Sequence, residues 1–297
     1  MNLNEEVRSD YLVTAEAKKL WAVQMEILEK IDQICKKYGL KYYADGGTLL
    51  GAVRHKGYIP WDDDLDVQML KEDYEKFCEV APKELNEPYF FQSYKTEKGF
   101  FPWLVRVRRS DTTCISEWEL ENNWGGHKGI FVDIFPLYNV PDSKLKYKWQ
   151  SMRLKYLKFL FQCYETDRAL TEYNGKPSFK RNLAKFYWRV TKLFTNPEKI
   201  CDKYLKIAAK EGSNTKKIGY LTFLPGNPKY LWDRSLYAES VDLPFEDRTI
   251  PAPYKYEEVL TLTFGDWHTP VKFASVHTTL TYSTDVPYTE YIKKLGK

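Results

Sequence analysis

The stretch GGTLLGAVRHKGYIPWDDDLDVQML, Gly46 to Leu70, sets a glycine-led turn, a basic loop and four carboxylates within 25 residues. Asp62, Asp63, Asp64 and Asp66 fall within five positions. Like charges at that spacing repel and raise one another's pKa values. A compact chain therefore keeps them only where they are solvated or neutralised by a cation.

Asp64-Leu65-Asp66-Val67 alternates polar and apolar residues, which reads as a strand. Alternate residues of a strand share a face, so Asp62, Asp64 and Asp66 are expected to project together, with Asp63 and Leu65 turned away. Three oxygen ligands on one face suit a hard divalent cation, Mg²⁺ or Mn²⁺. A calcium loop of the EF-hand type does not fit, because Val67 stands where its glycine belongs and Asp73 where its glutamate belongs. The plain alternative is a solvated acidic turn.

Upstream, Gly46, Gly47 and Thr48 can bring backbone N–H groups, a hydroxyl and a following helix N-terminus against a phosphate. Arg54, His55 and Lys56 lie between that turn and the carboxylates, a basic loop suited to holding phosphate oxygens. A further carboxylate, Asp133, interrupts the apolar run GIFVDIFPL, where an unpaired charge would be costly to bury. It is expected to face the same site; otherwise it accepts backbone hydrogen bonds at a strand end.

Working outward, Thr14 to Tyr38 carries Leu20, Trp21, Ile27, Leu28, Ile31, Ile34 and Cys35 at helical spacing, with Gln24 the polar exception, and Gly39 stops it. Leu40 to Ala44 reads as a short strand and Leu49 to Val53 as a short helix, with a loop from Arg54 to Trp61. Glu72 to Leu85 reads as a helix, and Tyr89–Tyr94, Trp103–Val107 and Ile130–Phe135 as strands. Beyond Pro141, Lys144 to Tyr164 and Lys180 to Lys210 have helical patterns, with Trp149, Met152, Tyr156, Leu160 and Cys163 as one apolar stripe. YKYEEVLTLTFGDW reads as a short helix ended at Gly265.

Composition bounds the classes. The 297 residues are 43% hydrophobic and 29% charged, enough for a globular core. Aromatics reach 16%, with nine Trp and 23 Tyr, which suits stacking on sugars or cations as well as core. Five scattered cysteines argue against a disulfide framework or a zinc knuckle and for a reducing compartment. With no secretion signal and no long apolar run, the expected location is cytoplasmic. The net charge is +4, yet Lys144 to Lys210 holds 17 Lys/Arg against five Asp/Glu, so the rest of the chain totals about −8. The basic middle is either a surface that rests peripherally on the inner face of an anionic membrane or a solvated packing domain. Nucleic acid is not expected, since no recognition motif accompanies it.

The run GGTLLGAVRHKGYIPWDDDLDVQM together with GIFVDIFPL resembles the LicD family, cytoplasmic phosphotransferases that move phosphocholine from CDP-choline to cell-surface glycans and whose eukaryotic relatives include fukutin-related protein. The likeness is looser at RVRRSDTTCI and YEEVLTLTFGDW. It implies an α+β, nucleotidyltransferase-like mixed sheet flanked by helices, with the mostly helical basic subdomain added. The expected divisions are a catalytic core over 1–140, the helical subdomain over 141–240, and a C-terminal segment, 241–297, packing back on the core. The resemblance implies that Asp62, Asp64 and Asp66 hold the metal, assisted by Asp133, and that Asp64, Asp66 and Asp133 are catalytic. The interval from Thr48 to Asp64 is 15 residues, longer than the family's usual one, and that to Asp62 is 13, so either pair, Asp62/Asp64 or Asp64/Asp66, fits the family's metal pair, with hydrophobic alternation favouring Asp64/Asp66.

The expected reaction is transfer of phosphocholine from CDP-choline to a hydroxyl of a glycan or lipid-linked glycan precursor, of teichoic acid or lipopolysaccharide, releasing CMP. A nucleotidyltransferase using an NTP, a transferase using another CDP-polyol, and a non-catalytic choline- or glycan-binding protein are the alternatives. Trp61, Trp103, Trp118, Trp124 and Glu117 are available to a quaternary ammonium, without any sign in the sequence that they converge.

Overall fold

The computed structural model describes residues 1–121, 125–172, 175–272 and 280–294. A short hairpin, β1 (Glu6–Arg8) and β2 (Tyr11–Val13), leads into helix α1 (Ala15–Tyr38). The Thr14 hydroxyl caps this helix by accepting the Ala17 N–H at 3.2 Å, and Gly39 ends it in the left-handed region at φ 66°. Its apolar face, from Leu20 to Cys35, is buried against the sheet.

Next come β3 (Tyr43–Ala44), α2 (Gly46–His55), β4 (Asp66–Leu70) and α3 (Lys71–Glu84). Then follow β5 (Tyr89–Gln92), β6 (Val105–Arg109), β7 (Thr113–Ser116), α4 (Glu117–Glu121) and the long strand β8 (Phe131–Val140). Helices α5 (Lys144–Thr171), α6 (Phe179–Thr191) and α7 (Pro197–Ala208) precede β9 (Lys217–Gly219) and β10 (Leu231–Asp233). A hairpin of β11 (Ser240–Phe245) and β12 (Arg248–Pro253), helix α8 (Tyr256–Phe264), β13 (Leu280–Ser283) and α9 (Tyr288–Lys294) complete the described chain.

The central sheet runs β10-β9-β8-β4-β3. One edge of β8 is shared: β6 pairs with its first half and β9 with its last residues, while β5 extends the sheet beyond β6. The β4–β8 pair is parallel and the other pairs of this sheet are antiparallel, so the fold is α+β with a mixed sheet. A parallel pair needs a long crossover, and here α3, β5, β6, β7 and α4 occupy the interval between β4 and β8. The main core lies between the sheet, α1, α3 and the C-terminal segment. A second core joins α5 and α7 to the end of β8 through Trp103, Tyr138, Leu154, Phe161 and Tyr204. All five cysteines are unbonded thiols.

Four expectations are corrected. Residues 62–65 are loop, and only Asp66 of the acidic run lies in β4, because the backbone of Asp62 and Asp63 is tied to α1 rather than to a neighbouring strand. Gly46 to Thr48 are the first turn of α2 rather than a turn before it, and the helix runs on through Arg54 and His55. Of the apolar stripe expected along α5, Leu160 and Cys163 are buried, but Trp149, Met152 and Tyr156 are exposed; Leu154, Leu157, Phe161 and Tyr164 complete the buried face. Residues 217–233, grouped by sequence with the basic helices, return to the sheet as β9 and β10.

Candidate active site

The site forms where the first turn of α2 meets the start of β4. Asp45 caps α2 with an extended backbone, its carboxylate accepting the Gly46 N–H at 2.8 Å and the Tyr220 hydroxyl. Both backbone groups of Asp66 are held by the same turn. Its N–H donates to the Thr48 hydroxyl at 2.9 Å, and its carbonyl accepts the Asp45 N–H at 3.0 Å. Thr48 is buried and thereby fixes where β4 begins.

The loop carboxylates are positioned from α1. The Trp21 indole N–H donates to the Asp62 carbonyl at 3.0 Å, and the Gln24 amide to the Asp63 carbonyl at 2.8 Å. Gln24 is buried, so the one polar residue of the α1 face anchors the acidic loop. Asp62, Asp63 and Asp64 each offer an oxygen within 4.8 Å of the others. Asp63, expected to turn away, thus belongs to this group, and Asp66, expected in the metal triad, does not. The Asp62 carboxylate also lies over the α2 N-terminus, where a Cβ on Gly47 would fall 2.6 Å from Asp62 Oδ2. Glycine is needed there for space, whereas at Gly46, with φ 46°, it is needed for conformation.

Asp133 enters from β8. It is the register partner of Asp66 across the parallel pair and of Arg106 across β6. Arg106 forks onto it with two hydrogen bonds, 2.5 and 3.1 Å, and the guanidinium lies over the Phe131 ring at 4.1 Å.

These groups interact electrically. Burial pushes the Asp66 carboxyl well above the ordinary range, and the charges of Asp64, Asp133, Asp45 and Asp62 push it further. Asp62 is pushed up to about 6 by burial, with Asp63 adding to the rise and an Asp64 hydrogen bond opposing it. Burial also takes Asp45 to about 6 against the hydrogen bonds from Tyr220 and Gly46. Such a set relieves its crowding by holding protons or a cation, and its hard oxygen donors are of the kind that suits Mg²⁺ or Mn²⁺.

Two cavities meet at the cluster. The larger, about 760 Å³, has Asp45, Asp62, Asp64 and Asp66 on one side and an aromatic wall that includes Trp61, Tyr220, Phe223, Tyr230, Trp232 and Trp267. The smaller, about 330 Å³, is lined by Asp63, Asp64, Arg106, Arg108, Asp133 and Glu165 among others. Asp64 lines both.

The remaining sequence candidates divide. Gly46, Gly47 and Arg54 line the larger cavity, and Arg54 donates to the Trp267 carbonyl at 3.1 Å. His55 and Lys56 do not line it. The His55 ring lies edge-on to Trp61 with Nδ1 3.5 Å from the Ser9 hydroxyl, and Lys56 is the exposed left-handed cap of α2. Trp61 reaches the cavity, Trp103 is buried in the second core, and Glu117 is exposed at the start of α4. The Trp118 side chain and Trp124 lie outside the described residues. Sequence reading missed Asp45, Arg106 and the aromatic wall supplied by residues 220–232 and 264–267. Asp45 carried a usable signal, a carboxylate immediately before Gly-Gly-Thr in an N-cap position. The distant aromatics carried none.

Residues 39–168, which include every carboxylate of the cluster, match the family model described as LicD/FKTN/FKRP, nucleotidyltransferase domain. Lipopolysaccharide cholinephosphotransferase LicD of Haemophilus influenzae is 26% identical over 260 residues, 82% of this chain and 88% of that protein. Ribitol 5-phosphate transferase FKRP of Mus musculus is 30% identical over 115 residues, 39% of this chain and 20% of that protein. An uncharacterised Rickettsia typhi protein is 41% identical over 58 residues, 20% of this chain and 19% of its own length. The likeness to the LicD/FKTN/FKRP nucleotidyltransferase domain is thus to the part of the chain that holds the carboxylates.

Proposed function

We propose that this chain, through its LicD-like domain, transfers phosphocholine from CDP-choline to a hydroxyl of a glycan precursor of teichoic acid or lipopolysaccharide, releasing CMP. The observation that supports this reading is the meeting of Asp45, Asp62, Asp64 and Asp66 on one side of an aromatic-walled cavity, with Asp133 beside Asp66 in the adjoining smaller cavity. Asp62, Asp64 and Asp66, with Asp63 close by, would hold Mg²⁺ or Mn²⁺, whose charge would offset that of the pyrophosphate and of the departing CMP.

The chain's own groups account for the rest. The acceptor oxygen attacks the phosphorus nearer choline, a new P–O bond forms, and the bond to the CMP oxygen breaks. The acceptor proton passes to a carboxylate. Asp64 is the best base, because it lines both cavities and so faces a donor in one and an acceptor in the other. Asp133 is a poorer one, since both its oxygens accept from Arg106. Its role is to hold Arg106 and to add charge beside Asp66. Arg54 and Lys229, both lining the larger cavity, are suited to phosphate oxygens. The aromatic wall suits a quaternary ammonium, which is attracted to ring faces and cannot donate hydrogen bonds. That favours choline over a polyol, whose hydroxyls need polar partners.

The test is a donor panel with purified protein and Mg²⁺ or Mn²⁺. CMP from CDP-choline supports the reading, CMP from CDP-ribitol alone replaces choline with a polyol, and pyrophosphate from CTP replaces it with nucleotidyl transfer.

A further inference from the structure

We propose that α5 and α6 form a docking face for an anionic lipid bilayer surface. The proposal stands whichever donor the cavity takes. Helix α6 has Phe179, Leu183, Phe186 and Val190 at i, i+4, i+7 and i+11, a single apolar stripe. A helix in a globular protein normally turns such a stripe to the core. Here it is 84, 58, 65 and 47% exposed in that order, and Trp188 is the one buried residue of the helix. Leu193 and Phe194, 75 and 84% exposed, continue the stripe past the helix end. On α5, Leu145, Trp149, Met152 and Tyr156 make a second exposed stripe.

Between α5, α6 and α7 lies an apolar groove of about 470 Å³, with Lys199 and Lys203 among its lining residues. An exposed apolar area this continuous marks an interaction site. Charge selects the occupant. Residues 144–210 carry 17 basic against five acidic residues, so a second copy presenting the same face would meet an excess of 12 like charges. An anionic bilayer offers the complement, headgroup charge for the lysines and acyl boundary for the aromatic and aliphatic side chains. No helix among the described residues is long and apolar enough to cross a membrane, so the face would lie on the bilayer rather than span it. It also connects to the active site, since Lys158 of α5 donates to the Phe223 carbonyl at 2.7 Å and Phe223 belongs to the aromatic wall.

The experiment is co-sedimentation of the full chain with vesicles of phosphatidylcholine alone and of phosphatidylcholine containing about one third phosphatidylglycerol, at low and high salt. The expected result is binding about tenfold or more tighter to the anionic vesicles, weakened by salt, and weakened about tenfold by Phe186→Ser/Phe194→Ser and by Lys180→Glu/Arg181→Glu/Lys185→Glu. Phe186, Phe194 and Lys180 are exposed and Arg181 and Lys185 half-buried, and none lines the cavities at the carboxylates, so melting temperature and turnover of soluble donor should stay close to wild type. Absence of wild-type binding would overturn the proposal, as would equal pelleting of wild type and variants. A concentration-dependent dimer abolished by the same substitutions would assign the face to a second copy and also overturn it.

Discussion

Asp66 and Asp133 are register partners on neighbouring parallel strands, so two carboxylates leave the sheet side by side at the point where the loop carboxylates arrive. Asp66 is the more strained of the two electrically. It is raised by its own burial and by four other aspartates, whereas Asp133 is answered by Arg106.

Replacing Asp66 by Asn keeps shape and removes the charge. Under the proposed function a metal ligand would be lost, so turnover should fall by about 1,000-fold or more. The melting temperature should hold or rise, because a costly buried charge has gone. Circular dichroism melts beside a CMP-release assay separate the two effects. A variant that loses activity only by unfolding contradicts the assignment.

The same charges give a pH dependence. Asp62, Asp45 and Asp66 titrate above the ordinary aspartate value in the folded protein. Groups with raised folded pKa values contribute stability that is fully present below about pH 4 and lost as pH rises through about 6 and beyond. In EDTA the melting temperature contribution of the cluster should therefore decline from pH 5 to pH 8. Mn²⁺ should restore it, and by more at pH 8 than at pH 5. Scanning calorimetry at both pH values, with and without Mn²⁺, measures this; an equal metal effect at both contradicts it.

His127 works in the opposite sense. Its ring stacks on Phe90 at 4.7 Å, accepts the Gly129 N–H at Nδ1 and meets the Ser110 hydroxyl at Nε2. Burial, aided by Arg108 and Lys128, pushes its pKa down to about 3. Stability from a base kept neutral is fully present above the unfolded value near 6.5 and is lost as pH falls toward 3, at most about 5 kcal/mol. His127→Gln should flatten that part of the pH profile in urea melts. An unchanged profile would show that His127 does not supply it.

Two glycines of α2 should separate function from fold. Alanine at Gly47 would place its Cβ against the Asp62 carboxylate, so turnover should drop about 10- to 100-fold with stability within about 1 kcal/mol of wild type. Alanine at Gly51 would place its Cβ 2.4 Å from the Gly57 carbonyl oxygen, a backbone clash, and should cost about 1–3 kcal/mol. Urea melts and steady-state kinetics on both variants check the contrast.

Local patterns carried much of the architecture. The apolar stripe ending at Gly39 marks α1, alternation through Val67 marks the start of β4, and the aromatic and β-branched runs mark β6 and β8. Alternation failed at Asp62 to Leu65 because those residues take their backbone partners from Trp21 and Gln24, contacts that no local pattern encodes. The stripe along α5 misled for a related reason: periodicity shows which residues share a face, not whether that face finds a core. At the site, Asp62, Asp64, Asp66 and Asp133 were visible as carboxylates in or beside apolar runs. Tyr220, Trp232 and Trp267 were not, since they lie over 150 residues beyond the acidic loop and fold back to wall the cavity.

The central claim is that these carboxylates perform metal-dependent transfer from CDP-choline, and the most direct measurement is CMP release from CDP-choline with Mn²⁺, with EDTA, and by Asp66→Asn with Mn²⁺. CMP from the wild type with Mn²⁺ alone is the predicted result. Equal release in EDTA, or by Asp66→Asn, would contradict it.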